Sequence, residues 1–168
     1  MRGGILGWLS GGRVLIILFV VMLLIGAGFY FVMEAIDGPL LDMIASGEAA
    51  MVRLNGMDVY QRTAHFRATV TLDIAFPLVY GMFFIGLLSR LAWRWRWVLI
   101  WVPLVAMLAD LSENLLQAMA LSGSAPEILH AKDVVTPLKG GALLLTVALC
   151  APLAIAALIK YYKAKKIA

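Results

Sequence analysis

Residues 109–117 read Ala109-Asp110-Leu111-Ser112-Glu113-Asn114-Leu115-Leu116-Gln117, inside a run that is otherwise apolar enough to cross a membrane. Asp110, Glu113, Asn114 and Gln117 stand at i, i+3, i+4 and i+7, so on a helix they share one face. An ionised carboxylate near the centre of a bilayer costs roughly 2.5–3.5 kcal/mol on insertion scales, and two of them one turn apart also repel. Such a face turns toward protein, water or a bound molecule rather than toward lipid.

The composition around this stretch fits a membrane protein. Of 168 residues, 63% are hydrophobic and 14% charged, and the mean hydropathy is +0.94. That balance is not one of a soluble domain. Four apolar runs, Val14–Met33, Ala68–Leu88, Val98–Leu121 and Val134–Ile159, are each long enough for a hydrocarbon core of about 30 Å. The expected fold is all-α: a polytopic four-helix transmembrane bundle forming a single domain over residues 1–168. The first run ends in Phe29-Tyr30-Phe31 rather than at a small-residue cleavage site, and is read as a retained helix rather than a signal peptide.

Between the first and second runs, residues 34–67 form an outer loop. Gly38-Pro39 breaks the chain, and Leu40–Leu54 carries enough apolar residues to lie as a short interfacial helix on the membrane, over the helix ends. Asp58 is placed to cap a helix leading into the second span. There Asp73, Pro77 and Tyr80 fall on one face, and Pro77 deprives the Asp73 carbonyl of its usual helical partner. Residues 89–97 alternate Arg90, Arg94 and Arg96 with Trp93, Trp95 and Trp97. In so short a turn this pattern is an interfacial anchor, not a nucleic-acid surface.

The distribution of charge sets the expected orientation. The N-terminus, the 89–97 turn and the C-terminus hold Arg2, Arg13, Arg90, Arg94, Arg96, Lys160, Lys163, Lys165 and Lys166, with no acid. The C-terminal lysines flank Tyr161 and Tyr162 in a basic aromatic stop. The other side holds seven of the ten acids. The positive-inside rule then puts both termini in the cytoplasm and the chain in a plasma (inner) membrane. Counting about 1.5 Å per residue, Asp73 and Lys139 lie roughly 8 Å, and Asp110 and Glu113 roughly 12–17 Å, below the outer helix ends. All four fall in the outer half, on three helices. One site is expected there, built from Asp73, Tyr80, Asp110, Glu113, Asn114, Gln117 and Lys139, with Lys139 neutralising one of the acids.

Several chemistries are excluded. The single cysteine, Cys150, rules out an internal disulfide and two-cysteine redox work. His65 and His130 read as solvated interface residues without metal-ligand spacing, so no metal site is expected. No phosphate-binding glycine loop is present. Three functions stay open. One is a carboxylate-lined pocket binding, or transforming by acid–base chemistry, a lipid-like or amphipathic ligand. Asp73, Asp110 and Glu113 would then be the candidate catalytic groups. Another is an accessory or assembly subunit of a larger membrane complex, its polar face serving as interhelical glue. The third is ion or proton handling by a homo-oligomer. Whether the chain is an enzyme, and which cofactor it would use, stays open.

Two resemblances accompany this reading. Leu72-Asp73-Ile74-Ala75-Phe76-Pro77-Leu78-Val79-Tyr80, together with Ala109-Asp110-Leu111-Ser112-Glu113-Asn114, resembles a pattern in small four-helix bacterial membrane proteins, which implies architecture only. Four spans, a longer first outer loop, Asp73 shortly before Pro77 and a basic tail are also similar to the EXPERA-type sterol-isomerase and sigma-2-receptor group. That likeness implies intramembrane acids facing a cationic or sterol-like ligand. The Asp-x-x-Glu-Asn element does not belong to that group.

Overall fold

The structure, a computed structural model, describes residues 4–92 and 94–167. Arg2 and Trp93, and the side chains of Tyr161, Lys165 and Lys166, lie outside the described residues. The chain is helical, with no strand among the described residues. Its helices are α1 (Ile5–Leu9), α2 (Gly12–Ala35), α3 (Gly47–Asn55), α4 (Val59–Ala68), α5 (Ile74–Leu91), α6 (Arg96–Leu99), α7 (Trp101–Leu121) and α8 (Lys132–Ile167). A π-helical turn, Thr69–Asp73, joins α4 to α5 without a break, so one rod runs from Val59 to Leu91.

Four rods are long and apolar enough to cross a membrane: Gly12–Ala35, Val59–Leu91, Arg96–Leu121 and Pro126–Lys160. The second starts at Val59, where the expected Asp58 cap puts it, nine residues before the apolar run that begins at Ala68. The Asp58 carboxylate accepts the Gln61 N–H at 2.7 Å, and the Gln61 side chain accepts the Asp58 N–H at 3.1 Å. This reciprocal cap satisfies two of the N–H groups that a helix start leaves over. The fourth rod starts earlier than read, because residues 126–131 wind into a 3₁₀ turn that feeds α8 at Lys132.

α7 lies at the centre, packed against α5, α8 and the 126–131 turn. α2 packs on the outer side of α5, where Phe19 meets Phe83 and Phe29 meets Phe76. Away from these contacts the apolar surface points outward. Leu24, Phe31 and Leu144 are about two-thirds or more exposed (66%, 68% and 72%).

Residues 36–58 form a strap across one end of the bundle. α2 ends where Asp37 and Gly38 take positive φ, and Arg53 Nη2 bridges back to the Ile36 and Asp37 carbonyls at 2.8 and 3.4 Å. The short helix expected within Leu40–Leu54 forms as α3, over Gly47–Asn55. Leu40, Leu41, Ala50 and Leu54 are buried within the protein, and the last three join Ala120, Leu121 and Leu129 in one apolar cluster. Met43 and Val52 still point outward.

Gly47 makes that closure geometrically feasible. A Cβ there would lie 2.5 Å from the Leu129 oxygen and 2.7 Å from the His130 Cα, both backbone atoms that cannot yield. Gly47→Ala is therefore expected to destabilise the protein by about 1–3 kcal/mol, the usual range for overpacking. Gly26→Ala, whose Cβ would meet nothing within 4 Å, should leave the thermal midpoint unchanged or slightly raised, since glycine disfavours helix. Equal melting curves for the two variants would refute the close packing at Gly47.

Candidate functional site: a charged cluster between the strap, α7 and α8

The polar face of α7 does turn inward: Asp110, Glu113, Asn114 and Gln117 are all buried. Opposite it, α8 presents Lys132, Thr136 and Lys139, spaced i, i+4 and i+7. Lys132 and Glu113 are both fully buried and form a direct ion pair through Nζ and Oε1. The Thr136 hydroxyl donates to the same oxygen at 2.7 Å. The Lys139 Nζ lies 2.6 Å from Glu113 Oε2 and 3.5 Å from Asp110 Oδ1. It also lies 2.5 Å from Oδ1 of Asp42, contributed by the strap. α5 adds Tyr80, whose hydroxyl donates to Asp110 Oδ2 at 2.9 Å.

Charges in oil are tolerated when each has a partner and its remaining hydrogen-bonding capacity is used. Here Glu113 meets two ammonium groups and a hydroxyl, and Asp110 meets one of each. Asp42, Asp110 and Glu113 offer carboxylate oxygens within 4.8 Å of one another, a spacing that suits a cation. The ammonium of Lys139 stands among them as a cation tethered to the chain. By formal charge the cluster holds three acids against two lysines, leaving one negative charge over. Exposure within the cluster is uneven: the side chains of Glu113 and Lys132 are 0% exposed, those of Asp110 and Lys139 9% and 12%, and that of Asp42, on the strap, 32%.

A second polar contact follows from Pro77. With no N–H at residue 77, the Asp73 carbonyl has lost its helical donor. The Asn114 side-chain amide fills that place, with Nδ2 2.5 Å from the Asp73 oxygen. Deeper burial leaves some polar atoms with no protein partner: Oδ2 of Asp73, Oδ1 of Asn114 and both amide ends of Gln117.

Of the expected site residues, the structure thus brings Tyr80, Asp110, Glu113 and Lys139 into one ionic network. Asn114 joins Asp73 through its backbone, while Gln117 is buried nearby without a protein partner. Three members went unread: Lys132, Thr136 and Asp42. Lys132 precedes the apolar run that begins at Val134, although its spacing from Thr136 and Lys139 mirrors that of the α7 face. His65 is corrected too. It is not a solvated interface residue but is fully buried in α4, where Nε2 accepts the Leu41 N–H at 2.9 Å and Nδ1 faces Thr69 Oγ1 at 3.2 Å. His130 is about half exposed, 3.9 Å from Asp133.

A separate cavity of about 250 Å³ opens beside Met57, Arg62, Phe66 and Leu121, and none of its lining residues belongs to the charged cluster. Compared with known protein families, curated proteins and solved structures, the chain matches none.

Proposed function

We propose that the chain is an integral protein of a bacterial inner membrane, crossing it four times with both termini in the cytoplasm and the strap outside. In this reading the charged cluster binds the polar head of a lipid-like or amphipathic molecule that enters beside Asp42. The observation that carries it is a network of five charged side chains from the strap, α7 and α8 that has one negative charge over and is most exposed at Asp42 on the strap. Such a site favours a positively charged head, which would share Asp42 and Asp110 with the tethered ammonium. The unpartnered Gln117 amide and Asn114 oxygen add hydrogen-bonding capacity close by. The outward apolar surface of α2 and α8 supports insertion in lipid, since a soluble protein rarely exposes so large a patch. The layout shared with EXPERA-type proteins points the same way. Asp73, Asp110 and Glu113 would be the groups to carry any acid–base step on the bound molecule.

The test is binding of hexadecylammonium to the protein in lipid nanodiscs, with hexadecanol as the uncharged comparison. The amine is expected to bind the wild type and to lose about tenfold or more in affinity in Asp110→Asn, the scale of one charge-assisted hydrogen bond. Equal binding of amine and alcohol, or no effect of Asp110→Asn, would refute the reading.

One observation favours a second reading, an accessory subunit. Both oxygens of Glu113 and both of Asp110 already have partners within the chain, as expected of helix-to-helix glue. Co-purification of a larger membrane complex that survives Asp110→Asn, with no amine bound, would support that role instead.

A further inference from the structure

The strap is pinned to the bundle at three points of different chemistry. Arg62 Nη2 of α4 donates to the Leu54 carbonyl at 3.1 Å, Asp133 Oδ1 accepts the Gly47 N–H at 2.8 Å, and His65 Nε2 accepts the Leu41 N–H at 2.9 Å. The third pin fixes the state of the ring. A backbone N–H can only donate, so Nε2 must carry no hydrogen, and the ring proton sits on Nδ1 toward Thr69 Oγ1. His65 is therefore held as the neutral Nδ1–H tautomer. The residue after Leu41 is Asp42, which closes the charged cluster at 2.5 Å from Lys139. The 3₁₀ turn Leu41–Met43 is so short that Leu41 and Asp42 move together.

We propose that His65 is a positioning residue that latches Asp42 onto the charged cluster, and that protonation of its ring releases the strap and opens the cluster. A proton on Nε2 turns the acceptor into a donor facing another donor, so the Leu41 bond is lost rather than weakened. The other two pins rest on a guanidinium and a carboxylate and do not involve the ring. The charged groups facing the ring are Arg53 and Asp42 on the strap and Lys132 on α8. Asp42 then has two cations in its field, Lys139 at 2.5 Å and the newly charged imidazolium. Protonation thus breaks the bond that seats Asp42 and offers its carboxylate a competing cation. The consequence for binding rests on the reading of the cluster as an amphipathic-amine site; the latch itself does not.

The experiment uses the full chain in nanodiscs. It follows hydrogen exchange at the Leu41 amide, corrected for the intrinsic rate, between about pH 8 and about pH 3, because burial holds the ring well below the ordinary histidine value of about 6.5. Hexadecylammonium binding is measured over the same range. In the wild type the Leu41 protection should fall by about tenfold or more on acidification, the scale of one buried hydrogen bond. His65→Gln keeps an acceptor oxygen at that position and cannot take up the charge, so its protection should change far less. Carboxylates titrate in both proteins, so the difference between them isolates the ring. Wild-type protection that stays constant overturns the latch even if the variant does not fold, and so does an equal loss in His65→Gln. A pH-sensitive Leu41 amide in a protein that binds no amine upholds the latch and refutes the binding reading.

Discussion

Glu113→Leu will destabilise the protein by about 3–5 kcal/mol, the cost of leaving a buried charge without its partner. Glu113 is fully buried, and the change strands Lys132, which is equally buried. Lys139 is spared, because Asp42 and Asp110 remain within 2.5 and 3.5 Å of it. The reverse change, Lys132→Met, should cost clearly less, since Glu113 keeps Lys139 and the Thr136 hydroxyl. Combining the two removes the stranded ammonium, so the double variant should be more stable than Glu113→Leu alone. That inversion of additivity is the signature of a directly paired site. Unfolding by denaturing detergent in mixed micelles measures all three. Equal losses in the two single variants that simply add would contradict the network.

The second large effect lies at the proline. Asn114→Leu removes the donor that replaces the missing N–H of residue 77, leaving the buried Asp73 carbonyl bare at a cost of about 1–3 kcal/mol. Pro77→Ala restores a backbone N–H in register with that carbonyl. Asn114→Leu should then be nearly harmless in a Pro77→Ala background. The cycle of four proteins, followed by the same unfolding measurement, gives a coupling close to the whole cost of Asn114→Leu. No coupling would mean that Asn114 serves some other group.

These effects show which parts of the arrangement can be read from the chain alone. Asp110, Glu113, Asn114 and Gln117 announce themselves because helical periodicity puts them on one face and hydrocarbon leaves such a face nowhere to go but inward. Pro77 likewise identifies the Asp73 carbonyl as unpaired. Its partner was not legible, since the reach of Asn114 depends on the depth at which α5 and α7 cross. Lys132 carried the same i, i+4, i+7 signal with Thr136 and Lys139, but it precedes the apolar run that marked the helix start. Asp42 had no local signal at all. It sits in the irregular Leu41-Asp42-Met43 turn, and its position follows from how the strap folds back, which Gly47 and His65 decide from elsewhere in the chain. His65 lies on the helix that the Asp58 cap announces, but its burial comes from the strap folding back onto it through Leu41, which no local pattern reports.

Distance measurement by solid-state NMR in lipid bilayers tests the central claim most directly. The pairs to measure are the lysine side-chain nitrogens against the carboxyl carbons of glutamate and aspartate. Two lysine nitrogens should lie in direct contact with one glutamate carboxyl, and Lys132→Met and Lys139→Met should each remove one of the two contacts. Glu113→Gln should abolish the shared carboxylate signal while the contact between Lys139 and Asp42 persists. Lysine nitrogens without any close carboxyl carbon, in the folded protein in lipid, would contradict the existence of the cluster.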